Sequence, residues 1–187
     1  WLRHLRHPGG RPRVLDLGCG NGEFLLRMRD LGWRVEGVDF DPEAVRAARQ
    51  AGLDAHQGDV DSVDLPAGAY DAVTLSHVVE HLPDPRASLA RVRELLRPGG
   101  ALWIATPNAS SLGHRHFGSS WLALDPPRHL VVYTPGALTR LLGECGFEQV
   151  RLEDPGPDAA WLFGPSEAIA QGRHPLREGG RPSAGVR

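Results

Sequence analysis

Between residues 13 and 152 the chain alternates short, densely apolar runs with longer stretches whose apolar positions recur every three or four residues. The first pattern is that of buried strands and the second that of amphipathic helices. Runs at 13–17, 34–39, 53–57, 70–75, 101–105 and 147–152 predict six strands. Helical spacing over 22–31, carried by Phe24, Leu25, Met28 and Leu31, predicts a first helix. Asp41-Pro42-Glu43 opens a second, with an N-cap followed by proline at the first helical position. A third covers 87–96, ended by Arg97-Pro98-Gly99-Gly100, and a fourth covers 135–145, stopped by Gly146. This alternation predicts an α/β fold, a doubly wound, mostly parallel sheet with helices on both faces. Ligands of such sheets bind beyond the carboxyl ends of the strands. The turn after the first strand, Asp39, Asp59 and the Ser76-His77 pair would all lie on that rim.

Two segments break the rhythm. Residues 106–134 form a long connection rich in Gly, Ser, His and Trp, the kind of segment that serves as a lid or binding loop. After Asp154 proline, glycine and arginine accumulate and periodicity fades. The expected organisation is therefore one domain over 1–156, with 106–134 as an insertion on the substrate side. Residues 157–187 would follow as a C-terminal edge strand, at 159–163, and a flexible tail from 172.

Composition narrows the function classes. The chain has 187 residues, 41% hydrophobic and 24% charged, with a formal net charge of -2. That balance gives no electrostatic footing for nucleic acid or an anionic membrane surface. All 21 basic residues are arginine, which excludes lysine chemistry. Cys19 and Cys145 stand in unrelated contexts, no apolar run approaches the roughly 18 residues of a membrane span, and no signal-peptide pattern is present. A cytoplasmic protein, monomer or homodimer, is expected. The chain opens at Trp1, which suggests that it is trimmed or cut from something longer.

The densest chemistry lies in Val14-Leu15-Asp16-Leu17-Gly18-Cys19-Gly20-Asn21-Gly22-Glu23. An apolar strand meets three glycines at alternate positions, and a helix begins. Glycine permits positive φ and leaves bare backbone for a ligand to approach, while the helix start supplies free N–H groups. Asp39, ending the second strand, suits the paired hydroxyls of a ribose. Asp59, in Gln57-Gly58-Asp59-Val60, suits an exocyclic amine such as that of adenine. The dinucleotide fingerprint would need glycine at 23. Glutamate stands there, and it and Asp16 would repel a pyrophosphate and favour a cationic ligand.

These residues resemble the class I S-adenosylmethionine-dependent methyltransferases. The matching motifs are VLDLGCGNG, GVDFDPEAV, QGDV, YDAVTLSHVVEHLPDP and LLRPGGALWIATPN, in family order across about 13–152. The resemblance implies a Rossmann-like sheet and S-adenosylmethionine as methyl donor, with S-adenosylhomocysteine as product. It implies that Asp16, Gly18, Cys19 and Gly20, with Gly22 closing the turn, line the methionine part. Asp39 would hold the ribose, Phe40 would pack on adenine, Asp59 and the Val60 amide would read its edge, and Ser76 would lie near the methionine moiety. It further implies a small-molecule acceptor, methylated at oxygen.

The acceptor side is less legible. His77-Val78-Val79-Glu80-His81 reads H-x-x-E-H, a pattern of inverted zinc peptidases, and on a helix 77, 80 and 81 would share a face. Its place after the fourth strand of a nucleotide-binding sheet argues against a peptidase. The segment is similar to one in ubiquinone-pathway O-methyltransferases that holds a divalent cation, but His77 replaces a glutamate there, so no metal is assigned. For a general base the first choice is His129, in Asp125-Pro126-Pro127-Arg128-His129-Leu130, and the second is His81. His114 and His116 read as loop residues, and Phe117, Trp121 and Tyr133 as a wall for the acceptor. Two rival readings are a non-catalytic S-adenosylmethionine-binding module and an NAD-dependent oxidoreductase.

Overall fold

A computed structural model describes residues 10–153 and 160–175. Five strands make one sheet in the order β3-β2-β1-β4-β5. They are β1 (Arg13–Leu17), β2 (Arg34–Asp39), β3 (Asp54–Gln57), β4 (Tyr70–Ser76) and β5 (Leu96–Ala105). Every pairing is parallel, as the alternation of strands and helices requires. The chain starts in the middle, runs outward through β2 and β3, then crosses back to β4. The switch point thus falls between β1 and β4.

Helices α1 (Glu23–Asp30), α2 (Pro42–Gln50), α3 (Pro85–Leu95) and α5 (Pro135–Glu144) cover the sheet, and α4 (Leu112–Phe117) and α6 (Phe163–Ala170) lie in the peripheral segments. Side chains alternate across a strand, so β1 divides its apolar residues between two cores. Leu15 and Leu17 join Val73, Leu89, Val92 and Leu141 on one side, while Val14 joins Leu25, Met28, Val45 and Ala48 on the other. The cap expected at Asp41 is present, and two more appear that the sequence reading did not name. Asp41, Asp84 and Thr134 each accept from the first turn of their helix, and each precedes a proline.

The opposite end of the sheet is locked by a buried carboxylate. Glu36 accepts from Tyr70 Oη at 2.7 Å and Arg13 Nη2 at 2.6 Å, and His56 Nε2 lies 3.0 Å away. Burial works to raise its pKa, but these partners outweigh it and hold the carboxyl below its ordinary value.

Three sequence expectations are corrected. The strand expected at 147–152 is absent from the sheet: Gln149 takes φ 54° there, which breaks the extended run. The strand expected at 159–163 is helical, a 3₁₀ turn over 160–162 leading into α6; Ala159 lies outside the described residues. Among the described residues β5 is consequently an edge of the sheet, opposite β3. The fifth strand is also longer than expected, because 97–100 bulges between the Tyr70–Leu96 and Ala72–Ala101 pairs rather than ending the run. The flexible tail expected from 172 lies, from 176 onward, outside the described residues. No described helix is long and apolar enough to cross a membrane.

Candidate active site

The glycine turn is fixed from below and open above. Gly18, Gly20 and Gly22 have φ of 75°, 54° and 82°, a region that side chains with a Cβ avoid. A Cβ on Gly18 would stand 2.5 Å from Val78 Cγ2, and one on Gly22 would stand 2.2 Å from Leu53 Cδ1. A Cβ on Gly20 would meet nothing within 4 Å. The cradle is thus closed by protein at both ends and empty in the middle. Gly18 N and Cys19 N both donate to Val38 O, at 2.8 and 3.1 Å, which ties the turn to β2.

Asp39 completes that tie. Its Oδ2 accepts from Gly20 N at 2.8 Å and its Oδ1 from Asp41 N at 2.9 Å. Each carboxylate oxygen has a second acceptor site for a ligand hydroxyl. Phe40, next in the chain, is 81% exposed, a large aromatic with no protein surface to cover it. Asp59 caps its own turn, Oδ1 accepting from Asp61 N and Ser62 N; the Ser62 side chain first, then these amides, hold its carboxyl below the ordinary value. Val60 packs its side chain in the core. Ser76 is exposed at the end of β4, paired in register with Ala105 of β5.

Asp16 is nearly buried under the turn and bonds Thr74 Oγ1 at 2.5 Å. Burial pushes its carboxyl up to about 7, with the Thr74 hydrogen bond opposing and the charge of Asp39 adding. The same desolvation pushes the Cys19 thiol up to about 12, so it is no nucleophile. Cys19 fits because β2 has Gly37 beside it: a Cβ there would lie 2.6 Å from the Cys19 sulfur. The sequence reading missed Gly37 and Thr74, since neither belongs to a local pattern.

One strand away lies a cluster of imidazoles around a buried carboxylate. Residues 79–81 form a single 3₁₀ turn, so His77, Glu80 and His81 do not share one helical face. His77 Nδ1 sits 3.2 Å from Glu80 Oε1, and Thr106 Oγ1 donates to Glu80 Oε2 at 2.9 Å. Glu80 is fully buried. Burial acts to raise its carboxyl, but the bonds from His77, the backbone and Thr106 hold it below its ordinary value. His77 has φ 56°, a conformation costing a residue with a Cβ roughly 1–3 kcal/mol.

His81 and His129 meet edge to face, ring centroids 4.8 Å apart. His81 Nδ1 pairs with Arg128 O at 2.7 Å and His129 Nδ1 with Ala123 O at 2.8 Å. A carbonyl can only accept, so both rings carry the proton on Nδ1 and present Nε2 as a lone pair. Glu80, His81 and His129 bring their polar atoms within 4.8 Å of one another, a set that differs from the 77, 80, 81 face weighed in the sequence. Each Glu80 oxygen has a hydrogen-bond partner in the protein, His77 on one side and Thr106 on the other.

The connection 106–134 folds over this rim and is held by α6. Trp121 is buried and stacks on His114, centroids 5.3 Å apart, and Phe117 meets Phe163 of α6 edge to face. Leu122 N donates to the buried Ser166 Oγ at 3.0 Å. Trp121 and Phe117 therefore pin the connection more than they line it. Tyr133 does face inward, its hydroxyl buried without a partner among the described residues. Between the connection and β5 runs an open cleft of about 1810 Å³, with His77, Thr106, Asn108, His129 and Tyr133 among its walls. This exceeds the roughly 300–1,000 Å³ of a drug-sized site.

A parallel sheet with an acid-flanked glycine cradle at its switch point defines a Rossmann-like fold with a ligand site at the carboxyl ends of its strands. A family model described as a methyltransferase domain matches residues 3–152, and the chain belongs to that family. It is 34% identical to a malonyl-[acyl-carrier protein] O-methyltransferase of Serratia marcescens over 187 residues, 96% of this chain and 71% of that protein. It is 46% identical to a ubiquinone biosynthesis O-methyltransferase of Xanthomonas oryzae pv. oryzae over 103 residues, 51% of this chain and 43% of that protein. The chain thus matches less than half the length of the ubiquinone-pathway relative. Among solved structures, an S-adenosylmethionine-dependent methyltransferase from Mesorhizobium loti superposes with a TM-score of 0.67 at 25% identity, covering 92% of this chain and 91% of that one.

Proposed function

We propose that the protein transfers a methyl group from S-adenosylmethionine to a hydroxyl oxygen of a small molecule. The observation that carries this reading is the adjacency of two features: a glycine cradle open at Gly20, and a cluster of imidazoles with free Nε2 lone pairs one strand away. An acceptor that must lose a proton needs such a base, whereas a carboxylate would not. The two relatives named above are O-methyltransferases, which favours oxygen.

When bound, S-adenosylmethionine supplies an electrophilic methyl group on a sulfonium. We assign Asp16, Gly18, Cys19, Gly20 and Gly22 to its methionine part and Asp39 to its ribose. Phe40 takes the adenine face, Asp59 and the Val60 amide its edge, and Ser76 the methionine side of the cleft. The open space over Gly20 and the exposed ring of Phe40 fit that group. The chain's remaining work is to place the acceptor in line, exclude water with 106–134, and take up a proton. His129 and His81 belong to the cluster that receives it. Cys19 and Cys145 are both free thiols, which fits a reducing cytoplasm. The active unit is read as a monomer or homodimer without nucleic acid.

Calorimetry tests the donor. S-adenosylmethionine and S-adenosylhomocysteine should bind in preference to NAD, and the reverse order would establish the oxidoreductase alternative. A protein that binds the donor yet methylates no hydroxyl in a labelled-methyl screen would be a binding module.

A further inference from the structure

The sequence places His77 on the rim and within H-x-x-E-H, but assigns it no role. In the structure it differs from the other two imidazoles in three ways. Its partner is a carboxylate rather than a backbone carbonyl: Nδ1 faces Glu80 Oε1 at 3.2 Å, and Thr106 holds the other Glu80 oxygen at 2.9 Å. Its backbone is held in the left-handed region at φ 56°, with its amide donating to Ala105 O at 2.8 Å, an outlier of the kind that clusters at active sites. It also stands beside the cradle, because the next side chain, Val78, lies directly over Gly18.

We propose that His77 is the general base of the methyl transfer and that Glu80 is its positioning residue. This inference rests on the reading above that a hydroxyl is the acceptor. With Nδ1–H directed at Glu80, His77 presents Nε2 to the cleft that it lines. The acceptor's O–H bond breaks, its proton passes to Nε2, and its electron pair forms the new C–O bond. The C–S pair remains on sulfur as the neutral thioether. The imidazolium so formed faces the Glu80 carboxylate, which stabilises it as the buried acid of a catalytic triad does.

His81 and His129 lack this counter-charge as a direct partner, since their Nδ1 protons go to carbonyls. The titratable groups sharing the cleft with His77 include Asp125, Arg128, His129 and Tyr133, with Glu148, Arg151, Glu153 and His174 among its other walls and Glu80 and His81 just after it in the chain. Asp125 and Arg128 pair with each other at 3.2 Å. Glu80 is therefore the anion in direct contact with the ring.

Two measurements test the proposal on the full chain. The first is an NMR titration of the histidine ring protons, assigned by comparison with His77→Ala. In the wild type the His77 ring should titrate above the ordinary histidine range, and in Glu80→Gln it should move down by about one unit or more. An unchanged midpoint in Glu80→Gln overturns the dyad. The second uses two probe acceptors, phenol and 4-nitrophenol, with S-adenosylmethionine at mildly alkaline pH. His77→Ala should lose on the order of a hundredfold or more with phenol, which must be deprotonated, and far less with the already ionised 4-nitrophenol. Donor affinity by calorimetry should hold, and added imidazole should restore part of the phenol rate. Equal losses on the two acceptors, or full phenol activity in His77→Ala with loss in His129→Ala, overturn the proposal. Donor binding without turnover of either phenol by the wild type counts against the hydroxyl acceptor itself.

Discussion

Asp39 reaches across the β1–β2 junction to accept the Gly20 amide at 2.8 Å, so the carboxylate assigned to ribose also holds the turn that receives the rest of the ligand. A substitution there acts twice, on the ligand and on the cradle.

Asp39→Ala should weaken S-adenosylmethionine binding by about 1.5–3 kcal/mol, the scale of a hydrogen bond to a charged group. Asp39→Asn keeps an acceptor for Gly20 N and should lose less. Calorimetry on both variants checks this, and an unchanged dissociation constant for Asp39→Ala removes the ribose assignment.

Gly22→Ala should cost stability even without ligand. The residue has φ 82°, and its new Cβ would lie 2.2 Å from Leu53 Cδ1. A loss of roughly 2–4 kcal/mol is expected from strain plus displacement of a core leucine. Urea denaturation measures it. Gly20→Ala, with nothing within 4 Å, should be milder in stability and more severe in donor affinity.

Asp16 makes donor binding depend on pH. Its folded-state carboxyl lies at about 7, above the value near 4 of an unfolded aspartate. A raised pKa gives stability that is complete below about pH 4 and lost as pH rises through about 7, up to about 4 kcal/mol in all. A cationic ligand favours the ionised form, so binding should release a proton and strengthen as pH rises from about 6 to 8. Calorimetry in buffers of different ionisation enthalpy reads the released proton, and Asp16→Asn should abolish the release while stabilising the free protein near neutrality.

Tyr70→Phe tests the far end of the sheet. The variant leaves Glu36 without its 2.7 Å phenol donor in a buried setting, and should cost about 1.5–3 kcal/mol of stability. Because this network lies at the amino ends of the strands, donor affinity should be unchanged. A parallel fall in affinity at a temperature where the variant is fully folded would show the two ends to be coupled.

Local pattern made most of the fold legible. Strand and helix periods, the proline N-cap at Asp41, and the alternate glycines all act within a few residues, so the sequence displays them directly. The strands expected at 147–152 and 159–163 failed for the same reason: short apolar runs do not say whether a neighbouring edge will pair with them. At the site, the positions of Asp16 and the three glycines were readable because a single strand–turn–helix unit aligns them, and that of Asp39 because it ends the next strand. The histidines were not, because their roles depend on which atom each ring's other nitrogen finds.

The sequence by itself determined the α/β alternation, the cradle at Gly18–Gly22 and the acids beside it, since these follow from backbone conformation and spacing along the chain. Only the tertiary structure decided that Glu80 is the buried carboxylate among three imidazoles, that Thr74 holds Asp16, and that α6 anchors the connection over the cleft. Those are contacts between residues as many as 58 positions apart, as in the Thr74–Asp16 bond. Folding brings them together through burial, and no period or local spacing encodes which pairs will meet.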